Sequence, residues 1–283
     1  RERPRRPVDV SDHPPYPPAR HLLRSLHYEV EHRPDLTSTA RMPVGPHLVG
    51  PHGGVEPGAL ATLVDATGGG LAALAAHPGW IATADLTLHL LGPVHATAVV
   101  AHGRVVRRGR TTVVLAVDLV DDADRPVGTA TMSFAVLERR DGNPVMELPT
   151  EPVRHVFAPI GPDAAPTDLV DGIGLRVDDP TLAVVRAPMS PFVVNTLGAM
   201  QGGAVATLVA AAAALAGEHR LGAPCTCVDL ELNYLALGRT GPIAATATTV
   251  RAGDGWVVAE VEVRDEGHDA RTMTLARAVA VRA

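Results

Sequence analysis

Two apolar segments dominate the hydrophobic pattern of the chain. Residues 59–66 read Ala-Leu-Ala-Thr-Leu-Val-Asp-Ala, and residues 204–210 read Ala-Val-Ala-Thr-Leu-Val-Ala. Each predicts a helix that is apolar on nearly every side, which a soluble protein tolerates only where other elements surround the helix. We expect the first helix from about Pro57 to about Ala76 and the second at Gly203 to Ala216.

Alternating apolar and polar residues follow each helix and predict antiparallel strands separated by turn residues. After the first helix the predicted strands are Ile81–Leu91, Ala96–Arg107, Thr111–Asp121 and Pro126–Leu137. After the second they are Thr226–Leu235, Ile243–Arg251, Trp256–Arg264 and Thr272–Val281. The pattern of one helix followed by an antiparallel meander therefore occurs twice.

The two halves are also related by sequence. Asp65 and Ala210 hold the same place in the two helices and are 145 residues apart. The same spacing relates three identical pairs, Arg41 and Arg186, Pro43 and Pro188, and Pro46 and Pro191. An identity run at constant offset indicates an internal repeat. We predict a flexible Pro- and Arg-rich tail at 1–20, a first unit at 21–140, a linker at 141–170 and a second unit at 171–283.

Composition narrows the classes of partner. The formal charge of −6 and the lack of basic clusters beyond the N-terminus argue against nucleic acid and favour small molecules. The longest apolar run, 203–217, is shorter than the roughly 20 residues that span a bilayer, so no membrane insertion is expected. Cys225 and Cys227 lie two apart in a predicted strand, which favours small buried thiols and a reducing cytoplasmic compartment over a disulfide framework.

These residues resemble hotdog-fold thioesterases of the phenylacetate-degradation type. The signature of that family is Asn-x-x-Gly-x-x-His-Gly-Gly, four residues, then Leu-x-Asp. Residues 195–203 match its first part with Gln201 in place of His, and Ala210 replaces its Asp. The first unit keeps Leu63-Val64-Asp65 but has Glu56-Pro57-Gly58 where His-Gly-Gly belongs. The resemblance implies an α+β fold of two tandem hotdog domains, each a long helix wrapped by a curved antiparallel sheet, which form an internal pseudo-dimer.

The resemblance also implies where the active site lies. In this fold a site takes its loop from one unit and its carboxylate from the other, and the defects of the two copies are complementary. The loop of the second unit with Asp65 of the first would form one complete composite site, whereas Glu56-Pro57-Gly58 with Ala210 would form an inactive one. We expect one working site per chain, which hydrolyses an acyl-CoA thioester without a cofactor or a metal.

Roles for individual residues follow from the resemblance and from the needs of thioester hydrolysis. Asp65 is the candidate general base, or alternatively a nucleophile that forms a transient anhydride. Thr83 corresponds to the Ser or Thr that holds the attacking water, although threonine is also an ordinary strand residue. The backbone N–H of Gly203 is the expected oxyanion donor. Gln201 cannot take up a proton, so we expect it to orient the water or the carbonyl.

The substrate-binding candidates are weaker. Asn195 and Gly202 belong to the loop, where Asn195 acts as a brace or simply as a turn residue. Arg108 and Arg110 flank a hairpin turn and could bind the phosphates of coenzyme A, although a solvated turn is the simpler interpretation. His52-Gly53-Gly54 spells the family triplet four residues too early, which we interpret as coincidence. Cys227 matches Thr83 in the repeat and would face the inactive site.

Two alternative functions stay open at this stage. A degenerate double hotdog could bind acyl-CoA or serve as an assembly partner without catalysis. Hydration of enoyl-CoA is less favoured, because that class carries an Asp-x-Asn-Pro-x-His stretch that this chain lacks. We further expect the chains to pair into a homo-oligomer, a dimer of double hotdogs. The aromatic content of 3% argues weakly against an aryl-stacking pocket, while a few apolar side chains would suffice for an aryl or an aliphatic group.

Overall fold

A computed structural model describes residues 16–140, 143, 146–161 and 164–283. The helices are α1 (Leu22–Ser25), α2 (Pro57–Ala76), α3 (Leu169–Ile173) and α4 (Gly202–Leu221), with a short 3-10 helix at Pro46–Leu48. The strands are β1 (Tyr28–His32), β2 (Thr37–Pro43), β3 (Trp80–Leu90), β4 (Ala98–Arg108), β5 (Thr112–Asp121), β6 (Pro126–Leu137), β7 (Val153–Phe157), β8 (Arg176–Asp179), β9 (Val184–Ala187), β10 (Cys225–Tyr234), β11 (Ile243–Ala252), β12 (Trp256–Asp265) and β13 (Arg271–Arg282).

The strands form one continuous antiparallel sheet around the two long helices. Its order is β7-β1-β2-β4-β5-β6-β3-β10-β13-β12-β11-β9-β8, so the strands of the second unit mirror those of the first. The two halves meet where β3 pairs with β10, with Asp85 opposite Asn233 and His89 opposite Asp229. The prediction of two tandem hotdog domains joined edge to edge as an internal pseudo-dimer is confirmed.

The long helices also lie side by side, and small residues set their separation. A Cβ atom on Gly58 would come within 2.2 Å of Thr207 Oγ1, and one on Gly203 within 2.2 Å of Thr62 Oγ1. The same glycine–threonine contact therefore occurs twice, once in each direction across the pseudo-twofold relation. Glycine at these positions lets the backbone of each helix approach the other closely.

Burial accounts for the uniform apolar character of the helices. By length and hydropathy alone, α2 and α4 are apolar enough to cross a membrane, yet 83% and 61% of their apolar windows are buried inside the protein. One side of each helix contacts the other helix, and the curved sheet covers the rest. Most of the fully buried aliphatic side chains lie in this helix–sheet layer, for example Leu60, Leu63 and Leu115.

Helix α2 has the predicted bounds, whereas α4 is longer than predicted. The sequence prediction ended α4 before Gly217, but a Cβ atom there would lie 3.1 Å from Cys225 Cβ and Ala280 Cβ. Gly217 thus permits close packing against the sheet rather than ending the helix. The helix ends instead at Gly222, whose φ of 62° is the left-handed conformation typical of a helix C-terminus.

Two predicted irregular segments contain ordered contacts. Strand β7 lies within the predicted linker and extends the sheet by pairing with β1, with Tyr28 opposite Phe157. Tyr16 and Pro17 belong to the predicted tail, and in the structure Tyr16 is partly buried and Pro17 is buried. Residues 1–15 of that tail, and 141, 142, 144, 145, 162 and 163 of the linker, lie outside the described residues.

Candidate active site

Asp65 lies in the middle of α2 and is only 6% exposed. Its Oδ1 atom accepts a hydrogen bond of 3.0 Å from the Thr83 hydroxyl on β3. The β3–β6 pairing has a register shift between Thr83 and Asp85, and a β-bulge of this kind re-aims side chains locally. The two residues that the sequence analysis assigned to the water-activating pair are therefore in direct contact.

The other carboxylate oxygen of Asp65 faces the second unit. A Cβ atom on Gly202, the first residue of α4, would lie 2.9 Å from Asp65 Oδ2, so any larger residue would press on the carboxylate. Burial raises the pKa of Asp65 from 3.8 to about 6, while the Thr83 hydroxyl and the nearby backbone N–H of Gly203 lower it. A carboxyl group with a pKa in this range can both take up and release a proton near neutral pH.

A tight loop positions the N-terminus of α4. The Asn195 side chain accepts hydrogen bonds from the backbone N–H groups of Leu197 at 2.9 Å and Ala199 at 3.1 Å. Gly198 adopts a φ of 70°, which favours glycine. Asn195 thus braces the loop, as one of its two predicted roles required. Gln201 follows as the residue before the helix, and its backbone N–H donates to the Val193 carbonyl at 2.7 Å.

The structure separates the positions of the two loop glycines, Gly202 and Gly203, of which Gly203 was the expected oxyanion donor. Gly203 packs against Thr62 in the helix–helix contact, and its N–H lies beside Asp65. Gly202 lines the cavity in front of Asp65, and among the described residues its N–H has no hydrogen-bond acceptor. The first backbone N–H groups of a helix carry no intrahelical partner and attract negative charge. The geometry therefore favours Gly202 over the predicted Gly203 as the donor to an oxyanion.

Two tyrosines that the sequence analysis did not identify complete the polar end of the site. The Tyr16 hydroxyl donates to Oε1 of Gln201 at 3.3 Å, which leaves the amide N–H₂ of Gln201 as a donor toward the cavity. The Tyr234 hydroxyl donates to the Gly202 carbonyl at 3.0 Å. Tyr16 lay in a Pro- and Arg-rich segment with no hydrophobic period, so no pattern in the sequence indicated that it packs here.

A cavity of about 330 Å³ extends from this polar cluster between the two units. Ala66, Gly69, Gly70 and Ala73 of α2 form one wall, and their small side chains leave the space open. Six of the eight aromatic residues of the chain line it, namely Tyr16, Tyr28, Trp80, Phe134, Phe157 and Tyr234. Low aromatic content is thus a poor argument against an aryl pocket, because the few aromatic residues are concentrated in one place.

Arg108 and Arg110 are the candidates that the structure keeps apart from the cavity. Both are exposed at the β4–β5 hairpin, and neither lines the cavity. Arg108 donates to the His77 carbonyl at 3.4 Å, at the C-terminal end of α2. The lining of the cavity gives no support to their predicted contact with coenzyme A phosphates, which stays a prediction.

The family model of the thioesterase superfamily matches each unit separately, over residues 52–127 and 197–271. Together the two matches cover just over half of the chain. The chain belongs to the thioesterase superfamily. It is a thioester hydrolase. No curated protein sequence matches it.

Solved structures with the same fold as this thioesterase include the tesB protein of Mycobacterium avium subspecies paratuberculosis, with 13% identity and a TM-score of 0.56 over 86% of this chain and 92% of that one. An acyl-ACP thioesterase from Bacteroides thetaiotaomicron is 13% identical, with a TM-score of 0.54 over 87% and 98%. A hot dog fold protein of unknown function from Alicyclobacillus acidocaldarius is 17% identical, with a TM-score of 0.53 over 86% and 92%. At these identities the likeness shows the fold alone.

The thioesterase also has a second cavity of about 310 Å³, at the place that the pseudo-twofold relation assigns to the reciprocal site. Glu56 and Pro57 line it where Gln201 and Gly202 line the first cavity, and Ala210 stands where Asp65 would be. Proline has no N–H to offer an oxyanion. His52 lies on its wall, 3.5 Å from Glu218. Glu56 and Glu218 also line this cavity, but it has no carboxylate at the place of Asp65 and no N–H at the place of the Gly202 N–H.

The cysteines lie in this second cavity of the thioesterase. Cys227 holds the place that Thr83 has in the first unit, and both cysteines are buried with free thiols. Burial raises the pKa of the Cys227 thiol to about 12, so it stays protonated and unreactive at neutral pH. Among the described residues, no group of three or more His, Cys, Asp or Glu side chains is arranged to hold a metal ion.

Proposed function

We propose that the protein hydrolyses acyl-CoA thioesters at one composite site per chain, which combines Asp65 of the first unit with the N-terminus of α4 of the second. The observation that carries this proposal is the position of Asp65. A buried carboxylate, hydrogen-bonded to Thr83, faces the first turn of a helix from the other unit at the head of an apolar cavity. Such a site supplies a base and backbone donors around one reacting carbonyl.

The reaction then proceeds in two steps. Asp65 takes a proton from a water molecule as the water oxygen attacks the thioester carbon, and the Thr83 oxygen accepts a hydrogen bond from the same water. The carbonyl oxygen gains the negative charge, which the Gly202 N–H and the Gln201 amide N–H₂ stabilise. The tetrahedral intermediate collapses with cleavage of the C–S bond. The proton on Asp65 passes to the departing thiolate, which leaves the free acid, the thiol of coenzyme A and ionised Asp65.

The same argument favours a single working site. In the second cavity Ala210 offers no base, and Pro57 removes the N–H that Gly202 provides in the first. Glu56 is a carboxylate on the opposite wall, and burial raises its pKa. Glu56 lies in the loop, and Glu218 lies on α4 eight residues beyond Ala210, so neither carboxylate stands at the place of Asp65. We therefore propose that this cavity does not contribute to hydrolysis.

We also propose a cytoplasmic location, no membrane insertion and a homo-oligomer of double-hotdog chains. The buried, unpaired Cys225 and Cys227 suit a reducing compartment. Exposed valines on the edge strand β7, Val153 and Val156, leave a backbone edge and apolar side chains at one end of the sheet, where a second copy could add. Light scattering tests the association, and a monomer at micromolar concentration would contradict it.

The experiment that tests the function measures thiol release from short, medium, long and aryl acyl-CoA esters with wild type and Asp65→Ala in parallel. Turnover by the wild type that the variant loses, while calorimetry shows that the variant still binds the substrate, supports the proposal. Binding without turnover by the wild type on every ester would contradict it and favour a non-catalytic acyl-CoA-binding protein.

A further inference from the structure

His32 ends β1 at the far part of the first cavity and is 5% exposed. Its Nδ1 atom is buried without a hydrogen-bond partner. The ring of His155 lies beside it, with a distance of 6.0 Å between the ring centroids. The imidazole is thus a polar group with a buried, unpaired nitrogen, in a part of the cavity that it shares with His155.

The backbone of α2 makes room for this ring. A Cβ atom on Gly70 would come within 2.7 Å of His32 Cε1 and 2.8 Å of its Nε2. A glycine inside a helix lowers helix stability, so its presence here needs a compensating contact. The contact is the imidazole edge, which Gly70 allows to lie against the helix where the cavity wall consists of small residues.

The imidazole of His32 is neutral near pH 7. Burial, and to a lesser extent the nearby His155, lowers the pKa of His32 to about 4. A neutral imidazole offers one N–H donor and one acceptor nitrogen, and leaving the buried Nδ1 atom unpaired costs free energy. Tyr28, Phe157 and Trp80 line the same cavity, and no hydrogen bond from the described residues reaches the Nδ1 atom of His32. A bound ligand is the partner that the protein itself does not supply.

The distance along α2 between Asp65 and Gly70 indicates which part of a bound substrate lies beside His32. Gly70 is five residues beyond Asp65, which corresponds to about 7.5 Å of helix rise. With the thioester carbon at Asp65, as the proposed function requires, the chain of the acyl group runs past Ala66 and Gly69 toward His32. His32 therefore meets the distal end of the acyl group and not the reacting carbonyl.

We propose that His32 determines specificity by hydrogen-bonding a neutral polar group, such as a hydroxyl or a ketone, at the distal end of the acyl moiety. The protein then prefers acyl thioesters with such a group to plain hydrocarbon acyl groups of the same length. This inference rests on the proposed function. A site built to hydrogen-bond a substrate group rejects the analogue that lacks it, since the buried polar atom is then left unpaired.

The test uses matched thioester pairs that differ by one hydroxyl group. Hexanoyl-CoA is compared with 6-hydroxyhexanoyl-CoA, and 3-phenylpropanoyl-CoA with 3-(4-hydroxyphenyl)propanoyl-CoA. For the wild type we expect kcat/KM to be about tenfold or more higher for the hydroxylated member of at least one pair. His32→Phe, which keeps the ring volume and removes both nitrogens, should reduce that ratio to about one, and His32→Asn should restore part of it.

His102→Phe is the matched control, because His102 is an exposed histidine on β4 away from the cavity and should leave the ratio unchanged. Thermal unfolding of each variant shows that it is folded. Calorimetry of Asp65→Asn with the same pairs compares the binding affinities of the two members. The preference can therefore be measured even if no ester is hydrolysed. If no ester is hydrolysed but the hydroxylated members bind more tightly, the result would contradict the proposed function and leave the role of His32 intact. Equal use and equal binding of both members by the wild type would overturn the role of His32.

Discussion

Asp65 and Gly202 come from different units and lie against each other, so that a Cβ atom on Gly202 would come within 2.9 Å of the carboxylate. The contact depends on the close approach of α2 and α4, which the paired glycine–threonine contacts allow. It brings a buried base to the donors of a helix N-terminus. Neither unit contains both parts, and the internal duplication is therefore a condition of the proposed chemistry.

The stability of the protein should depend on the charge of Asp65. Burial raises its pKa from 3.8 to about 6 in the folded state, so the folded state holds the proton more tightly than the unfolded chain. The resulting stabilisation is complete below about pH 4 and is lost as the pH rises through 6. At pH 8 the free energy of unfolding of Asp65→Asn should be roughly 2–3 kcal/mol larger than that of the wild type, so the variant is more stable. At pH 4 the two should agree. Urea denaturation at both pH values tests this, and equal stability at pH 8 would contradict it.

The same pKa predicts the acid limb of the rate profile. A general base must be ionised in the free enzyme, so kcat/KM should fall tenfold per pH unit below about pH 6. Thr83→Val removes the hydroxyl that lowers the pKa of Asp65, and it should move the limb to higher pH. A limb near pH 4 in the wild type would show that Asp65 is not the titrating base.

Tyr16→Phe tests the contact with Gln201. Loss of the donor to Gln201 Oε1 lets the amide rotate, and we expect kcat to fall about three- to tenfold with a smaller change in KM. Tyr28→Phe is the control, because it makes the same chemical change in the same cavity without a contact to Gln201. Equal effects of the two variants on kcat would count against the positioning role.

Gly58→Ala tests the helix contact. The new Cβ would meet Thr207 Oγ1 at 2.2 Å, and overpacking of this kind destabilises by about 1–3 kcal/mol. Gly69→Ala on the same helix meets no atom closer than Phe134 Cε1 at 4.0 Å, so it should be neutral or stabilise by up to about 1 kcal/mol. Chemical denaturation measures both. A Gly58→Ala variant as stable as Gly69→Ala would mean that the helices can separate without cost.

Periodicity and the repeat were sufficient to predict the two long helices and the eight strands that follow them, whereas the pairing of the units was implied by the resemblance to hotdog-fold thioesterases. The direct Asp65–Thr83 contact was also accessible, since both residues match family positions within a single unit. The sequence did not predict that Gly202 rather than Gly203 is the better-placed oxyanion donor. Which backbone amide faces the cavity depends on how α4 packs against Thr62. Tyr16 and the strand β7 come from Pro-rich segments in which no strand or helix was predicted, and contacts distant in sequence determine their positions.

The clustering of aromatic side chains could not be predicted from the sequence either. Composition counts residues without placing them, and six of eight aromatics converge on one cavity from both units. The second cavity was foreseen only as an inactive pairing of Glu56-Pro57-Gly58 with Ala210. Its volume is close to that of the first because the fold, and not the catalytic residues, determines the space between helix and sheet.

The most direct test of the composite site compares Asp65→Asn with Glu56→Gln in steady-state thiol release from the best acyl-CoA ester. Both substitutions neutralise one carboxyl group that lines a cavity, and the two cavities are related by the pseudo-twofold relation. The account predicts that Asp65→Asn lowers kcat at least 100-fold and that Glu56→Gln stays within about threefold of wild type. Loss of activity in Glu56→Gln with Asp65→Asn still active would assign the chemistry to the other cavity and contradict the account.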